Sequence, residues 1–575
     1  MHRLRRYRIA LACAACAAFS TGFAADHAAA DAGAAVQAAD IEQLKVQLEQ
    51  QKKQIEQLQK ILEAQQKALE KVTAGAAQAA AKAPEAEVDH RAANLGEVAS
   101  TRPIIPRAVA PAAAATTPGL PLPQAQPNAI ANIPESPLQI RIGLATITPV
   151  GFMDLTNTYR STASGAGYAT NFGSYPYNNT AAGRLTEDRF SAGNSRIGFR
   201  VDALYHDIHV LGYYEGDFVG GVGNGALNTQ VTSNSLLYRI RLYWVDLRKN
   251  KLEFLAGQSW SMMTPNRNGI SALPGDLFYG QEFDVNYLNG LTWGRIPGLR
   301  FLYHPSKQVT IGISAENSTQ YFGGSGGGGV PTLPAALGAN GANLANSELD
   351  AGVNNGLAIP NVRPDIIAKI AFEPSARLHV EIAGVTDQMK IWNPLTNVYF
   401  SKVGGGGSIN ANFAVVKNLR LMTNNFWSDG AGRYLFGAAP NFILRADGDI
   451  SLVHSGSTLD GFEARLGKTA LYGYYGGIYV GRNVAVDANG TSLIGYGYRG
   501  SANSQNRTMQ EATIGITQTF FNNPRYGAVS MFLDYAYFWR NPWYVAPGAP
   551  KNAKQNAVWF NLRYTLPGSA PTIGY

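Results

Sequence analysis

The chain has 575 residues, of which 45% are hydrophobic, 10% aromatic and only 15% charged, with 62 glycines and a formal charge of +8. Its two cysteines, Cys13 and Cys16, fall at the very start, so the remainder has no disulfides, thiolate ligands or thiol nucleophile to build on. The arginines are spread singly rather than clustered, which argues against nucleic acid as the partner of this basic chain.

Residues 1–24 read as a signal peptide. Arg3, Arg5, Arg6 and Arg8 precede an apolar run from Ile9 to Phe19 and a small-residue cleavage site at Gly22-Phe23-Ala24. The run is too short to cross a bilayer, and no later one approaches the roughly 18 apolar residues of a transmembrane helix, so membrane residence would have to come from strands. Neither cysteine has the leucine usual ahead of a lipidated one.

Residues 41–72 repeat every seven. Ile41, Leu48, Ile55, Leu62 and Leu69 fall at one seam position, and Leu44, Gln51, Leu58, Gln65 and Val72 at the other. This pattern predicts a self-associating coiled coil, roughly 48 Å long at 1.5 Å per residue, and its mixed Ile/Leu seam with two glutamines fits a trimer. Residues 73–137 are rich in Ala and Pro, cannot bury a core, and read as a semi-extended linker that can reach the cell wall.

From residue 138 to 575 the chain reads as short alternating strands joined by tight and long connections in strict turn. The tight turns are His206-Asp207, Lys249-Asn250, Pro305 to Lys307, Pro374 to Ala376, Lys417-Asn418, Gly467-Lys468 and Asn522 to Arg525. Long stretches lie near 161–194, 219–233, 264–289, 318–363, 391–406, 429–457, 482–506 and 541–555. With one strand added at each end this predicts an all-β transmembrane barrel of about sixteen antiparallel strands, because hairpins at one rim of such barrels are short while loops at the other grow freely.

Alternation within strands agrees. Ile197, Phe199, Val201 and Ala203 oppose Arg196, Arg200 and Asp202. Tyr238, Ile240, Leu242 and Trp244 oppose Arg239 and Arg241, while Leu378, Val380 and Ile382 oppose Arg377, His379 and Glu381. Val558, Phe560, Leu562 and Tyr564 alternate with Asn561, Arg563 and Thr565 in the last strand. Trp244, Trp260, Trp293, Trp427, Trp539 and Trp559 fall near expected strand ends, where aromatic girdles sit.

The third long connection, Thr264 to Asn289, holds Pro265-Asn266-Arg267, Leu273-Pro274-Gly275-Asp276 and Gln281-Glu282-Phe283-Asp284. With it the chain resembles the trimeric porins of Gram-negative outer membranes, whose third loop folds inward. More narrowly it resembles the DcaP-like porins, through the coiled-coil stem and the stretches Ser195 to Phe199, Gly216-Asp217-Phe218, Ala256 to Trp260 and Gly294 to Arg300.

That resemblance implies a homotrimer with one pore per subunit and an inward row of arginines facing the third loop. Arg196, Arg200, Arg239 and Arg241 share the lumen side on the alternation, and Arg295 and Arg300 join them if Pro297 sits at a bulge. Arg267, Asp276, Glu282 and Asp284 are the charges expected on the constriction loop. Arginine suits carboxylate or phosphate solutes, because its charge is permanent and its fork accepts two oxygens.

One departure concerns the C-terminus, where the last expected strand is not closed by a terminal aromatic residue but is followed by Pro567 to Tyr575, so that either the internal Val558-Phe560-Leu562-Tyr564 set is the insertion signal or Tyr575 belongs to a last strand placed elsewhere. An enzymatic role is not expected: His206 and His304 fall at expected turns, His209, His379 and His454 lie apart, and no nucleophile or metal-ligand motif is present. Gly323 to Gly329 lacks the Lys-Ser/Thr and helix of a phosphate loop.

The expectation is therefore an outer-membrane channel, with its stem in the periplasm, for passive diffusion of small hydrophilic solutes, leaning toward anions such as carboxylates. It needs neither cofactor nor metal, and its partners are outer-membrane lipid, further copies of itself and the solutes. The rival is a structural tether or adhesin barrel that uses the long 318–363 connection outside.

Overall fold

The computed structural model describes residues 136–164, 171–220, 237–274, 288–324, 328–340 and 363–567, together with Lys52 and Leu277. The expected signal peptide, all of the coiled coil except Lys52, the linker up to residue 135 and the tail from 568 lie outside these residues.

Eighteen stranded segments form one sheet. Two are short continuations of longer strands, leaving a closed antiparallel barrel of sixteen. The first eight are β1 (Ala145–Arg160), β2 (Arg196–Tyr205), β3 (Ile208–Asp217), β4 (Arg239–Lys249), β5 (Leu252–Trp260), β6 (Arg295–Ser306), β7 (Val309–Glu316) and β8 (Asp365–Ser375). The remainder are β9 (Leu378–Asn393), β10 (Val398–Val416), β11 (Leu419–Asp429), β12 (His454–Leu466), β13 (Thr469–Val480), β14 (Asn506–Asn523), β15 (Gly527–Pro542) and β16 (Ala553–Thr565).

All seven expected tight turns join consecutive strands at one rim, within two residues of where the sequence puts them. Asn250 takes a positive φ of 52° and Gly467 one of 64°, as two-residue hairpins require.

β1 closes the barrel by serving two neighbours. Its first half, Ala145 to Phe152, pairs with β2, and its second half, Phe152 to Arg160, pairs with β16. Glu187–Ser191 extends β2 along the upper half, and Ile140–Ile142 lies on the lower half in line with β16. The Leu566 amide donates to the Gly151 carbonyl at 3.0 Å, and the Ser136 hydroxyl to the Pro567 carbonyl at 2.8 Å, so the described end of the chain is tied to its beginning. The final strand is thus the one that holds Val558, Phe560, Leu562 and Tyr564 on its outer face.

The polarity is inside out relative to a soluble sandwich. Ile197, Ile240, Phe301, Ile313, Ile370, Ile382, Ile409, Ile514 and Leu562 stand exposed on the outer wall, while Asp154, Arg196, Glu215, Asp217, Lys369, Glu381, Glu463 and Asn561 are buried inside. An apolar wall this continuous matches hydrocarbon rather than water.

Four sequence expectations are corrected. The stretch 391–406 is not a long loop: β9 and β10 run on and are joined by Pro394 to Asn397, with Asn397 at φ 56°. Gly404 to Gly407 read as loop for want of side chains, yet they pair with Asp387 to Gly384. The interior crowds Gly404 and Gly406; a Cβ on Gly406 would lie 2.7 Å from the Phe426 ring.

Leu242 and Trp244 do not face outward. Glu215 pairs with Leu242 but Gly216 with Ile240, so Arg241 is an extra residue in β4 and the alternation changes phase there. Arg239 and Arg241 point inward, Ile240, Tyr243, Val245 and Leu247 point outward, and Leu242 and Trp244 are buried.

The tryptophans do not form a girdle as a set. Trp244, Trp260 and Trp559 are buried among the interior clusters and Trp293 packs on Trp260, leaving Trp427 as the exposed one on the outer wall and Trp539 partly so. Nor is there a bulge at Pro297, because β5 and β6 stay in register from Trp260↔Arg295 to Leu252↔Tyr303.

Candidate functional site

The connection between β5 and β6 starts and ends at the same place on the wall, where the Ser261 amide donates to the Gly294 carbonyl at 2.7 Å. Its described residues, 262–274, Leu277 and 288–293, run inside the barrel. Wall glutamates accept its backbone N–H groups one after another: Glu316 from Met262 (2.8 Å), Glu381 from Asn266 (3.2 Å), Glu373 from Gly269 and Glu511 from Asn289 (2.8 Å). Charge-assisted bonds of this kind are about twice as strong as neutral ones, and four of them fix the loop against strands β7, β8, β9 and β14.

Side chains complete the anchorage. Lys369 in β8 reaches the Thr264 carbonyl and the Asn266 Oδ1, each at 2.9 Å, and forms a 2.8 Å ion pair with Glu381; neither side chain is exposed. Arg267 extends to Glu463 in β12 with two parallel bonds of 2.8 and 2.9 Å, and the Tyr474 hydroxyl donates to the same carboxylate at 3.0 Å. Nearer the loop's end, the Thr292 amide donates to Asn424 in β11.

Three of the expected arginines meet on the wall formed by β2 to β4. Arg196 lies 3.2 Å from Glu215, Arg241 bridges Glu215 (3.0 Å) and Asp217 (2.7 Å), and Arg239 grips Asp217 with bonds of 2.7 and 3.0 Å. Arg239 is the most open of the three, its side chain 37% exposed against 3% for Arg241. A few ångströms along, Arg300 donates to the Trp260 carbonyl at 2.6 Å, while the guanidiniums of Arg241 and Arg295 sit 6.0 and 5.6 Å from the Trp260 ring. Arg200 stands apart, paired with Asp202 at 2.9 Å. Arg267 faces the opposite wall, and Asp276, Glu282 and Asp284 lie outside the described residues.

No protein-family model matches the chain, and no curated protein is similar to it in sequence. Solved structures are similar in fold. The outer membrane channel DcaP of Acinetobacter baumannii aligns over 73% of this chain and 97% of its own, at a TM-score of 0.51 and 18% identity. The fold is that of the DcaP-type porin barrel. Weaker similarity is found with the trimer form of OmpT of Vibrio cholerae (TM-score 0.39, 10% identity, 73% of this chain and 99% of that one) and with Salmonella typhi OmpF (0.39, 11%, 74% and 100%).

This porin-fold barrel contains a second inward segment that the sequence reading treats as an ordinary long loop. The β11–β12 connection, 430–453, buries Ala431, Leu435, Ala439, Phe442, Ile443 and Leu444 completely. Arg433 pairs with Asp365 of β8, the Tyr434 hydroxyl donates to the same carboxylate at 2.9 Å, and Asn441 reaches Asp387 of β9 at 3.1 Å. Burial works against the Arg433 charge, but Tyr434 and Asp365 beside it hold its pKa above the ordinary arginine value. The Trp293 amide donates to the Tyr434 carbonyl at 3.1 Å, so the two inward segments touch. Its sequence signal was weak: an apolar run, Tyr434 to Leu444, inside a supposedly solvated loop.

Sequence reasoning also missed the wall glutamates. Glu316, Glu463 and Glu511 are single carboxylates in otherwise ordinary strands, and only their convergence on one loop gives them a role. His304 lies within β6 rather than at a turn and bonds to Glu253 at 3.0 Å, and His379 lies 3.2 Å from Glu381. Among the described residues no group of three His, Cys, Asp or Glu is arranged to hold a metal ion.

Proposed function

We propose that this chain is an outer-membrane porin through which small hydrophilic solutes diffuse. The observation that carries this reading is a polar strap, the β5–β6 connection, bonded across the inside of a closed barrel whose outer wall is apolar. The rim of long connections then faces the exterior and the rim of tight turns the periplasm, where the coiled-coil stem would join three copies.

The anion lean rests on the β2–β4 wall. Three guanidiniums against the carboxylates of Glu215 and Asp217 leave positive charge in excess there, with Arg239 the one exposed to a passing solute. Such a patch concentrates carboxylate or phosphate solutes at a narrow section.

A tether or adhesin is the second reading, favoured by the burial of the β11–β12 connection, which fills part of the interior. Recording from purified protein in planar bilayers under a salt gradient separates the two. Conductance in three equal steps with an anion-selective reversal potential is the expected result, whereas silence from folded, heat-modifiable protein would leave the tether.

A further inference from the structure

One lateral row of the outer wall changes character as it passes around the barrel. The aligned residues Ile382 and Ile409 are followed by Asn425, Thr458, Gly477 and Gln510 on β11 to β14. These polar groups bond among themselves: the Thr458 hydroxyl lies 3.1 Å from Asn425 Oδ1 and 2.9 Å from Asp460, Thr423 donates to Asp460 at 2.7 Å, and Tyr475 to Gln510 at 2.9 Å. Plain hydrocarbon would be a poor neighbour for such a row.

The row lines a groove of about 680 Å³ that continues toward the long-connection rim past Trp427, Gly456 and Tyr479, with Tyr475 on its other side. A second hollow of about 340 Å³ adjoins it at His454, toward the long-connection rim, and is lined by Lys402 and Arg482. Arg482 and Arg507 both lie over the Trp543 ring, at 5.5 and 5.9 Å, and the acid in this hollow, Asp429, lies 3.3 Å from His454. From the rim downward the wall therefore offers cations, then aromatic faces, then amides and hydroxyls.

We infer that this groove is a docking site for a phosphorylated, acylated glycolipid of the outer leaflet. Its phosphate meets Lys402 and Arg482, its sugar lies on the aromatic faces, and the amide and hydroxyl groups at the heads of its acyl chains meet Asn425, Thr458 and Gln510. A diacyl phospholipid has the phosphate but no chain hydroxyls or amides to answer that row. The inference rests on the membrane residence proposed above, but not on conductance.

The test is native mass spectrometry of the full-length protein in detergent, titrated separately with diphosphorylated lipid A, its dephosphorylated form, phosphatidylglycerol and inorganic phosphate. Lipid A is expected to bind at one molecule per barrel, with about tenfold weaker binding after removal of its phosphates or in K402Q/R482Q. G477L should block the groove while leaving the fold intact, because a Cβ there meets only ordinary contacts. Wild-type retention of lipid A by both variants would overturn the site, as would equal binding of phosphatidylglycerol or of inorganic phosphate alone. Loss of subunit association in G477L, with lipid binding unchanged, would assign this wall to a second copy instead. Conductance should be unchanged in both variants, and a shifted heat-modifiable band shows that each is folded.

Discussion

Arg267 and Glu463 stand 196 residues apart in sequence and meet as a bidentate ion pair in the interior, Arg267 on the inward loop and Glu463 on the wall of β12. Glu463 is fully buried and Arg267 nearly so, so neither charge has water to fall back on if the other is removed. Arg267→Met is expected to destabilise the barrel by about 3–5 kcal/mol, since it takes the bidentate counter-ion from a buried carboxylate and leaves it the Tyr474 hydroxyl. The loss would appear as a lower temperature for the gel shift of the folded band. Adding Glu463→Met should recover most of the stability while the loop still lacks its tie to β12. Single-channel conductance should rise in both variants, and an unchanged conductance would mean that this loop does not set the bore.

Arg239 and Arg241 should respond differently to loss of charge. Arg239 shares Asp217 with Arg241 and is partly exposed, so Arg239→Gln removes one positive charge at small cost to stability. Arg241 bridges Glu215 and Asp217 from a buried position, so Arg241→Gln takes one buried partner from each carboxylate and leaves Glu215 to Arg196 and Asp217 to Arg239. The reversal potential under a salt gradient should move toward cations in both, further in Arg239→Gln because its charge is the more exposed, and only Arg241→Gln should lose stability, by about 2–4 kcal/mol. Equal potentials for the two variants and the wild type would remove the arginines from selectivity.

Much of the barrel was legible because its grammar is local. Turn residues such as Lys417-Asn418 and Gly467-Lys468 mark one rim directly, and the alternation in β2 and β9 follows from the pleat. What escaped is set by tertiary partners. Gly404 and Gly406 look like loop residues until Met389 and Phe426 fill the space inside them. The role of Glu511 depends on the amide of Asn289, 222 residues away. The alternation read for β4 holds from Arg239 up to the bulge at Arg241, and reverses for Leu242 and Trp244 just beyond it.

That reversal can be measured, because the chain beyond its first 24 residues has no cysteine and admits single cysteine labels. Nitroxides at Tyr243→Cys and Val245→Cys should face lipid and relax with dissolved oxygen, while those at Arg239→Cys and Trp244→Cys should not. Oxygen contact at position 244 with none at 243 would restore the unbroken alternation and remove the bulge at Arg241.

The β11–β12 connection gives the last test. Its buried apolar run is held by Asp365 and Asp387 on the wall and by contact between Tyr434 and Trp293 of the other inward segment. None of the sixteen strands depends on it for pairing, since β11 and β12 are bonded to each other along their whole length from Leu419↔Ala464 to Asp429↔His454. Replacing residues 431–444 by a short Gly/Ser linker should therefore leave a folded, heat-modifiable barrel with raised conductance. It also uncovers Asp365 and Asp387, so the gain should come with a shift toward cations. A deletion with wild-type conductance would mean that the segment lies clear of the solute path.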